Sequence, residues 1–345
     1  MNRNPYTLLF GKAPSQLISR VVQQDEVIQN FTAEEPSQQI CVITGVRGSG
    51  KTVFLTKAAD DFRKMKDWIV VELNPNRDLL SSLAAKLASE DTLATIFQRS
   101  RINLSFFGIG LEVDGVAPIT DIETALSKMI KSLSDRGKRI LIEIDEVSNT
   151  RTMREFAGAF QILVRQNLPV FLLATGLYEN VRELQNTKNL TFLYRAPKIE
   201  LGPLNLAAMA TNYGETFDID RDASLEMAQL TKGYSFAFQV LGYLTWNAEG
   251  DYQSVLGDYR QYLEEYVYEK MWSKLSEKDR LVARAIAESP DGRILGIRKQ
   301  LGMSTNQFNP YRKRLIDKGI ADGSAHGHMS FTLPLFDEFA REQIE

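Results

Sequence analysis

The residues from Gly45 to Val53 have the types and the spacing that hold a phosphate group. Glycines at three of these positions leave room for backbone N–H groups to reach phosphate oxygens. Lys51 would neutralise the β- and γ-phosphates, and Thr52 would place its hydroxyl on Mg²⁺. A short apolar strand precedes this run and a helical stretch follows it, which is the context that a phosphate loop requires. The pattern predicts a nucleotide site lined by Gly45, Val46, Arg47, Gly48, Ser49, Gly50, Lys51, Thr52 and Val53.

A pair of acidic residues ends another apolar strand further along the chain. Asp145 would hold Mg²⁺, directly or through water, and Glu146 would orient and deprotonate the attacking water. Thr175 ends the next apolar strand, where its hydroxyl is placed to reach the γ-phosphate or that water. Together with Lys51, the pair of Asp145 and Glu146 predicts hydrolysis rather than binding alone.

Arg195 stands just before the last predicted strand of the same region. An arginine in this position can stabilise transition-state charge on the phosphate of a neighbouring subunit, which would imply self-association. A solvated arginine or a local ion pair is the other interpretation. The sequence leaves both open.

Length and composition narrow the class of protein. A chain of 345 residues predicts two or three domains, and 43% apolar with 25% charged residues is typical of a soluble globular protein. The net charge of −3 argues against non-specific coating of nucleic acid or of an acidic membrane. The single cysteine, Cys41, excludes an internal disulfide and favours a reducing compartment. No apolar run is long enough to cross a bilayer, so we expect a cytoplasmic protein without a membrane partner.

Strands and helices alternate through residues 1–203. Five apolar strands separated by helices predict an α/β fold with a doubly wound parallel sheet, which binds its ligand at the carboxyl ends of the strands. Alternating apolar residues over 102–113, with a turn between them, predict a β-hairpin at the sheet edge. Residues 1–37 are interpreted as an N-terminal linker.

The pattern becomes helical from Leu204 onward. It predicts a helical lid over residues 204–275 and a winged helix-turn-helix domain over residues 276–345. A Gly-rich hairpin would form the wing, and Pro310 is expected to shorten or kink the third helix of the module.

The third helix of this module carries polar and basic side chains suited to base edges and phosphates. The DNA-binding candidates are Asn306, Gln307, Arg312, Lys313 and Arg314. From Ser276 onward, eleven basic residues face ten acidic ones, so the charge of the module is weak. Duplex DNA and a protein partner therefore both stay open as ligands. His326 and His328 in the wing are expected to be exposed loop residues, because no further metal ligands accompany them.

These motifs together resemble those of AAA+ ATPases. The resemblance rests on the phosphate loop, on Ile144-Asp145-Glu146, on Thr175 and on the stretch around Arg195. More closely, the chain resembles the bacterial and archaeal group that joins an origin-recognition-type ATPase module to a C-terminal winged helix, a group also related to STAND regulatory ATPases. The resemblance covers nearly the whole chain.

The resemblance also implies an adenine pocket and shows one departure. In that family the segment that corresponds to Phe10–Arg20, with Pro14 and Ile18, helps to enclose the adenine. Many AAA+ proteins carry an arginine in the lid near the position of Gly233, whereas this chain continues with Tyr234, Ser235 and Phe236. Sensing of the γ-phosphate by the lid is therefore in question.

The expected function is an ATPase switch that uses ATP and Mg²⁺ and repositions its winged helix on DNA or a partner. The alternatives are a tight ATP-binding regulatory module with little turnover, and a STAND-type signalling ATPase that does not bind DNA. A GTPase is disfavoured because no Asn-Lys-x-Asp follows the strand that ends at Thr175. A small-molecule kinase is disfavoured because the helical region after residue 204 is too large for a simple lid.

Overall fold

A five-stranded parallel sheet forms the centre of the first part of the chain. The computed structural model describes residues 3–9, 14–110, 112–188 and 190–343. Two compact units are present: a sheet unit of Val21–Thr44 and Lys51–Glu200, and a helical unit of Met1–Arg20, Gly45–Gly50 and Leu201–Glu345. The strands of the sheet are β1 Ile40–Thr44, β2 Trp68–Leu73, β3 Arg139–Ile144, β4 Val170–Gly176 and β5 Lys198–Glu200.

The strand order places β4 between the two strands that lead to the candidate site. The order is β2-β3-β4-β1-β5, and all neighbouring strands pair in parallel. Strands β1, β3 and β4 are mostly apolar and almost entirely buried, as expected for a parallel sheet covered on both faces. Ala174 of β4 lies beside Val42 of β1 and Ile144 of β3, so Thr175 lies level with the ends of both neighbours. The predicted α/β sheet of five strands is confirmed.

Seven helices pack around this sheet among the described residues. They are α1 Val21–Thr32, α2 Lys51–Arg63, α3 Leu79–Ser89, α4 Asp91–Arg99, α5 Ile122–Ser134, α6 Arg151–Arg165 and α7 Tyr178–Gln185. Asp78, Asp121 and Thr150 each accept a backbone N–H at the start of a helix, which satisfies a donor that the helix leaves unpaired. The segment predicted as a linker contains α1, whose buried Phe31 packs against Phe62 of α2.

The β-hairpin predicted over residues 102–113 is wrong for the described part of that segment, which contains a 3₁₀ turn and no strand. The side chain of Asn103 donates to the carbonyl oxygen of Val116 at 2.7 Å and accepts the N–H of Ser105 at 3.1 Å. These local side-chain bonds shape a loop in place of a strand ladder. Leu111, part of the same prediction, lies outside the described residues.

The helical unit contains the predicted lid helices. They are α8 Leu206–Phe217, α9 Arg221–Leu230, α10 Ser235–Asn247, α11 Leu256–Leu263 and α12 Glu269–Ser273. A π-helical turn at Glu264–Tyr268 joins α11 to α12, so the helix predicted over residues 252–275 changes its winding partway.

Three helices, a short antiparallel strand pair and a final helix follow, and the first three helices with the strand pair have the arrangement of a winged helix. The elements are α13 Glu277–Glu288, α14 Ile294–Leu301, α15 Thr305–Asp317, β6 Ala321–Asp322, β7 Ser330–Phe331 and α16 Phe336–Glu342. Ser276 and Ser304 begin α13 and α15 with capping boxes, and Gly302 forms the left-handed turn between α14 and α15.

Pro310 does not end α15, which continues to Asp317 as one α-helix. The expected shortening of this helix is therefore wrong. Proline removes one helix hydrogen bond and leaves the carbonyl of Asn306 without that donor. Both residues are exposed, so water can satisfy this carbonyl.

One hydrophobic core extends from the lid helices through the winged helix. Tyr268 and Trp272 pack against Phe336 and Phe339 with ring centroids 5.1–6.4 Å apart. The hydroxyl of Tyr268 also donates to the carbonyl oxygen of Pro334. The two predicted modules therefore share their packing.

Candidate functional site

Asp145 is held at the carboxyl end of β3 by two hydroxyl groups. The hydroxyl of Thr175 donates to Asp145 Oδ1, and the hydroxyl of Thr52 donates to Asp145 Oδ2 at 2.7 Å. Thr52 lies in the first turn of α2, and Asp145 is half-buried. The two residues predicted to hold Mg²⁺ are thus in direct contact.

Glu146 adopts a left-handed backbone conformation, with φ of +57°. This conformation costs a non-glycine residue about 1–2 kcal/mol. Its N–H donates to Asp145 Oδ1 and to Thr175 Oγ1, each at 3.1 Å, and these bonds oppose that cost. The Glu146 side chain is exposed, so the turn presents the candidate general base to solvent.

Thr175 joins the two acidic residues. It is fully buried, donates its hydroxyl hydrogen to Asp145 and accepts the N–H of Glu146. Its carbonyl oxygen accepts the N–H of Val147 at 2.7 Å. The hydroxyl expected to reach the γ-phosphate is committed to this turn in the structure.

A buried carboxylate on β3 was not predicted from the sequence. Glu143 is 4% exposed, is in register with Glu72 of β2 and forms an ion pair with Arg63 of α2. Burial raises the pKa of Glu143, and the nearby Arg63 guanidinium opposes this rise only in part. The signal available in the sequence was a lone glutamate between Ile142 and Ile144.

Two glycines in the left-handed region shape the phosphate loop. Gly48 has φ of +74° and Gly50 has φ of +89°, while the N–H of Ser49 donates to the carbonyl oxygen of Val46 at 3.2 Å. The buried Ser49 hydroxyl has no hydrogen-bond partner among the described residues. A loop with these features fits a polar, anionic ligand. Lys51, which follows Gly50, is 9% exposed and begins α2.

Three consecutive lid residues bind the backbone of this loop, and we call them the lid clasp: Tyr234, Ser235 and Phe236. The Tyr234 hydroxyl donates to the Arg47 carbonyl oxygen at 2.6 Å. The N–H of Phe236 donates to the Gly48 carbonyl oxygen, and the Ser235 hydroxyl donates to that of Ser49, both at 3.1 Å. The lid lacks the arginine expected from the family resemblance, and no pattern in the sequence predicts these three contacts.

The segment that the family resemblance places near adenine is described in part. Pro14 is half-buried, and Ile18 packs against the core of the helical unit. Between them, the carbonyl oxygen of Gln16 accepts a 2.8 Å hydrogen bond from the Gln239 side chain of α10. The remaining residues of the prediction, Phe10, Gly11, Lys12 and Ala13, lie outside the described residues.

Arg195 ends a 3₁₀ turn just before β5 and is exposed. Within the described part of the chain, its guanidinium has no hydrogen-bond or ion-pair partner. Its neighbour Tyr194 is 64% exposed. The sheet unit therefore presents an unpaired cation beside an exposed aromatic ring.

Two of the candidate DNA-binding arginines have partners within the winged helix. Arg312 donates to the carbonyl oxygen of Gly323 in the wing at 3.0 Å, and Arg314 pairs with the buried Asp279 at 2.9 Å. The side chain of Gln307 accepts the N–H of Ser304 in the capping box. Asn306 and Lys313 are both exposed. The surface of α15 therefore offers fewer free cations than its sequence suggests.

The oxygen atoms of Asp145 and Thr52 are suitable ligands for Mg²⁺. No group of three or more His, Cys, Asp or Glu side chains that could hold a metal occurs in the described ranges. Mg²⁺ in nucleotide sites is bound by one or two carboxylates together with phosphate and water oxygens, so Asp145 and Thr52 are suitable as the ligands that the protein contributes.

Among the helices that the structure describes, none has the length and apolar character to traverse a bilayer.

Two family models match separate parts of the chain. Residues 28–171 match a model described as an ATPase domain predominantly from Archaea. Residues 265–340 match a model described as a domain of unknown function. No curated protein matches the chain.

One solved structure with low sequence identity shares the fold, and two others match with lower TM-scores. The Walker-type ATPase PABY2304 of Pyrococcus abyssi matches with a TM-score of 0.69 and 13% identity, over 94% of this chain and 96% of that chain. Cdc6p from Pyrobaculum aerophilum and the Aeropyrum pernix ORC1 protein in complex with DNA match with TM-scores of 0.46 and 0.45. Each is 14% identical, over 95% of this chain and 93% of the other.

Proposed function

We propose that this protein is an Mg²⁺-dependent, ATP-hydrolysing AAA+ switch that positions its winged helix on DNA or on a protein partner. The match of residues 28–171 to an ATPase-domain model supports this proposal. The observation that carries this proposal is the group formed by Thr52, Asp145, Glu146 and Thr175. The left-handed backbone of Glu146 is strained, and strain of this kind is typical of functional sites. Activation of the attacking water by the Glu146 carboxylate would account for it.

Different residues of the motif would bind the phosphate oxygens, the phosphate charge and the Mg²⁺ ion. The backbone of residues 45–50 would bind phosphate oxygens, and Lys51 would neutralise charge on the β- and γ-phosphates. Thr52 and Asp145 would hold Mg²⁺, which supplies charge neutralisation to the phosphates when bound. Val53 follows in the first turns of α2, whose N-terminus favours anions.

Hydrolysis then requires a water placed in line with the γ-phosphate. Glu146 would accept the proton of this water, and Thr175 would keep the turn in the conformation that presents the carboxylate. Arg195 would act on the ATP of a neighbouring copy, a role favoured by its exposure and by its lack of a partner within the described chain.

The core shared by the lid helices and the winged helix supports the switch. Since Tyr268 and Trp272 pack directly on Phe336, a displacement of the lid helices would carry the winged helix with it. Lys313 and Asn306 would then be the leading groups for contact with DNA.

A protein partner is the second candidate ligand of the winged helix. The engagement of Arg312 and Arg314 within the domain favours it, because phosphate contacts need free cations. Leu295 of α14 is 74% exposed, which gives the winged helix an apolar side chain at its surface. Binding to duplex DNA at rising salt separates the two, since phosphate contacts must weaken as salt increases.

A glutamate-to-glutamine pair tests the hydrolytic proposal. We expect Glu146→Gln to lower the rate of phosphate release about 10²–10⁴-fold while ATP binding persists. Glu155→Gln, which changes an exposed glutamate of α6, should match the wild type. EDTA should abolish wild-type turnover. Equal rates for wild type and Glu146→Gln, with and without DNA, would show that the protein binds nucleotide without hydrolysing it through this residue.

A further inference from the structure

The lid clasp contacts three successive carbonyl oxygens of the phosphate loop. Tyr234 and Ser235 bind the carbonyls of Arg47 and Ser49 through their side chains, and the backbone of Phe236 binds that of Gly48. Tyr234 is 5% exposed, and burial raises the pKa of its hydroxyl, so this group remains a proton donor. All of these residues belong to the helical unit.

The geometry of the peptide bond turns these contacts into control of the opposite side of the loop. In a trans peptide the C=O and the following N–H point in opposite directions. Holding the carbonyls of Arg47 and Ser49 toward the clasp therefore directs the N–H groups of Gly48 and Gly50 away from it. Neither N–H has a hydrogen-bond partner among the described residues. They are thus available donors for phosphate oxygens.

Gly48 is also required by the clasp itself. A Cβ at this position would lie 2.2 Å from Tyr234 Oη and 2.9 Å from Phe236 Cβ. The absence of a side chain at Gly48 lets the lid approach the loop, in addition to permitting its φ of +74°. The close approach of lid and loop therefore depends on Gly48 as well as on the lid clasp.

The same helix also holds the segment that family resemblance places near adenine. Ser235 and Gln239 lie four residues apart on α10 and so share one face. The Gln239 side chain accepts the N–H of Thr7 at 3.1 Å and donates to the carbonyl oxygen of Gln16 at 2.8 Å. One face of α10 thus contacts both the phosphate loop and the N-terminal segment.

We infer that the lid clasp is a positioning device for nucleotide binding, in which Tyr234 sets the peptide orientation of the phosphate loop where related lids use an arginine on the phosphate. This inference rests on the proposed nucleotide site. It assigns Tyr234 a role through the loop backbone and no contact with the nucleotide. The affinity for both ADP and ATP should therefore depend on the Tyr234 hydroxyl, because the loop serves the phosphates that the two nucleotides share.

Two tyrosine-to-phenylalanine variants test the inference by calorimetric titration with ADP and with a non-hydrolysable ATP analogue. Tyr234→Phe should weaken both affinities about fivefold to tenfold, as expected for one lost hydrogen bond that orients a loop. The matched control is Tyr259→Phe, since Tyr259 is fully buried in the same unit and donates to the Leu230 carbonyl oxygen at 2.9 Å. This control should keep wild-type affinity. Ser235→Ala gives a second variant at the clasp, with a loss in the same direction.

The outcomes separate positioning from simple stabilisation. In turnover assays, Tyr234→Phe should raise KM with little change in kcat, because a misplaced loop weakens ground-state and transition-state binding alike. If Tyr234→Phe and Tyr259→Phe lower the melting temperature equally and leave both affinities unchanged, the clasp is only structural and the inference is wrong. If the wild type itself binds neither nucleotide, the proposed function fails, and the inference fails with it.

Discussion

The hydroxyl of Thr175 donates to the carboxylate of Asp145 across two neighbouring strands of the sheet. It also accepts the N–H of Glu146, whose backbone lies in the left-handed region. A single buried hydroxyl therefore supports both the candidate metal ligand and the candidate general base. This arrangement makes Thr175 a positioning residue whose effect can be measured.

Thr175→Val should remove these two bonds while keeping nearly the same side-chain volume. We expect kcat for ATP hydrolysis to fall about tenfold to 100-fold, because the Glu146 turn loses the acceptor that offsets its strain. Thr175→Ser keeps the hydroxyl and should recover most of the activity. The measurement is steady-state phosphate release, and equal rates for the valine and serine variants would contradict this role.

Arg195→Ala should lower turnover about 10³-fold if the residue acts on the ATP of a neighbouring copy. Mixing this variant with Glu146→Gln provides the sharper test, because some interfaces then combine an intact Arg195 with an intact Glu146. Activity should reappear on mixing two proteins that are each inactive. Lys198→Ala, a change at another exposed cation close by, should leave turnover unchanged. Failure of the mixture to recover would restrict Arg195 to its own chain.

Arg314 and Lys313 should behave differently although they are adjacent on α15. Arg314→Ala leaves the buried carboxylate of Asp279 without its 2.9 Å partner and should lower the free energy of unfolding by about 1–3 kcal/mol. Lys313→Ala should change stability by less than about 0.5 kcal/mol, since its contact with Asp317 is exposed. If the winged helix binds duplex DNA, Lys313→Ala should weaken that binding and reduce its salt dependence. Thermal melts and DNA titrations at several salt concentrations make the comparison.

Cys41 offers a chemical probe of the strand that leads into the phosphate loop. Burial, with a smaller contribution from the charge of Glu26, raises the pKa of its thiol to about 12. At pH 8 the thiol should react with a disulfide reagent more than about 10³-fold more slowly in the native protein than in denaturant. Nucleotide with Mg²⁺ should slow the reaction further, because ligand binding stabilises the native state. Fast labelling of the native protein would show that this strand opens readily.

Glu143→Gln should change stability with a defined dependence on pH. Since the pKa of Glu143 is raised in the folded state, the carboxyl favours folding below its unfolded pKa and loses this contribution as pH rises through the folded pKa. The glutamine variant should therefore melt at a higher temperature than wild type at neutral pH, and the two should converge in acid. A lower melting temperature for the variant at neutral pH would show that the attraction to Arg63 outweighs the cost of burial.

The sequence predicted the sheet well because its strands are short, apolar and bounded by polar ends. Asp145 and Thr175 could be placed at strand ends from this pattern alone, and parallel strands bring such ends to one edge. The hairpin over residues 102–113 failed for the opposite reason. Alternating apolar residues show which side chains are buried but do not identify a pairing strand, and the bonds of Asn103 favoured a loop.

The lid clasp and the buried Glu143 could not have been predicted in the same way. Tyr234 and Arg47 are separated by 187 positions, and a tyrosine before a helix has many uses. Likewise, Glu143 interrupts an apolar strand, but its partner Arg63 lies 80 positions away on α2. In the winged helix, the basic residues of α15 were visible, whereas their internal partners depended on the packed domain.

The aromatic contacts of Tyr268 and Trp272 with Phe336 and Phe339 also bear on how this protein can be engineered or can evolve. A cut before residue 276 would expose an apolar face on the shortened protein and invite its aggregation. A winged helix grafted from another protein would need matching aromatic residues at its end. The C-terminal module therefore cannot be exchanged on its own, because its contact residues must match those of the lid helices.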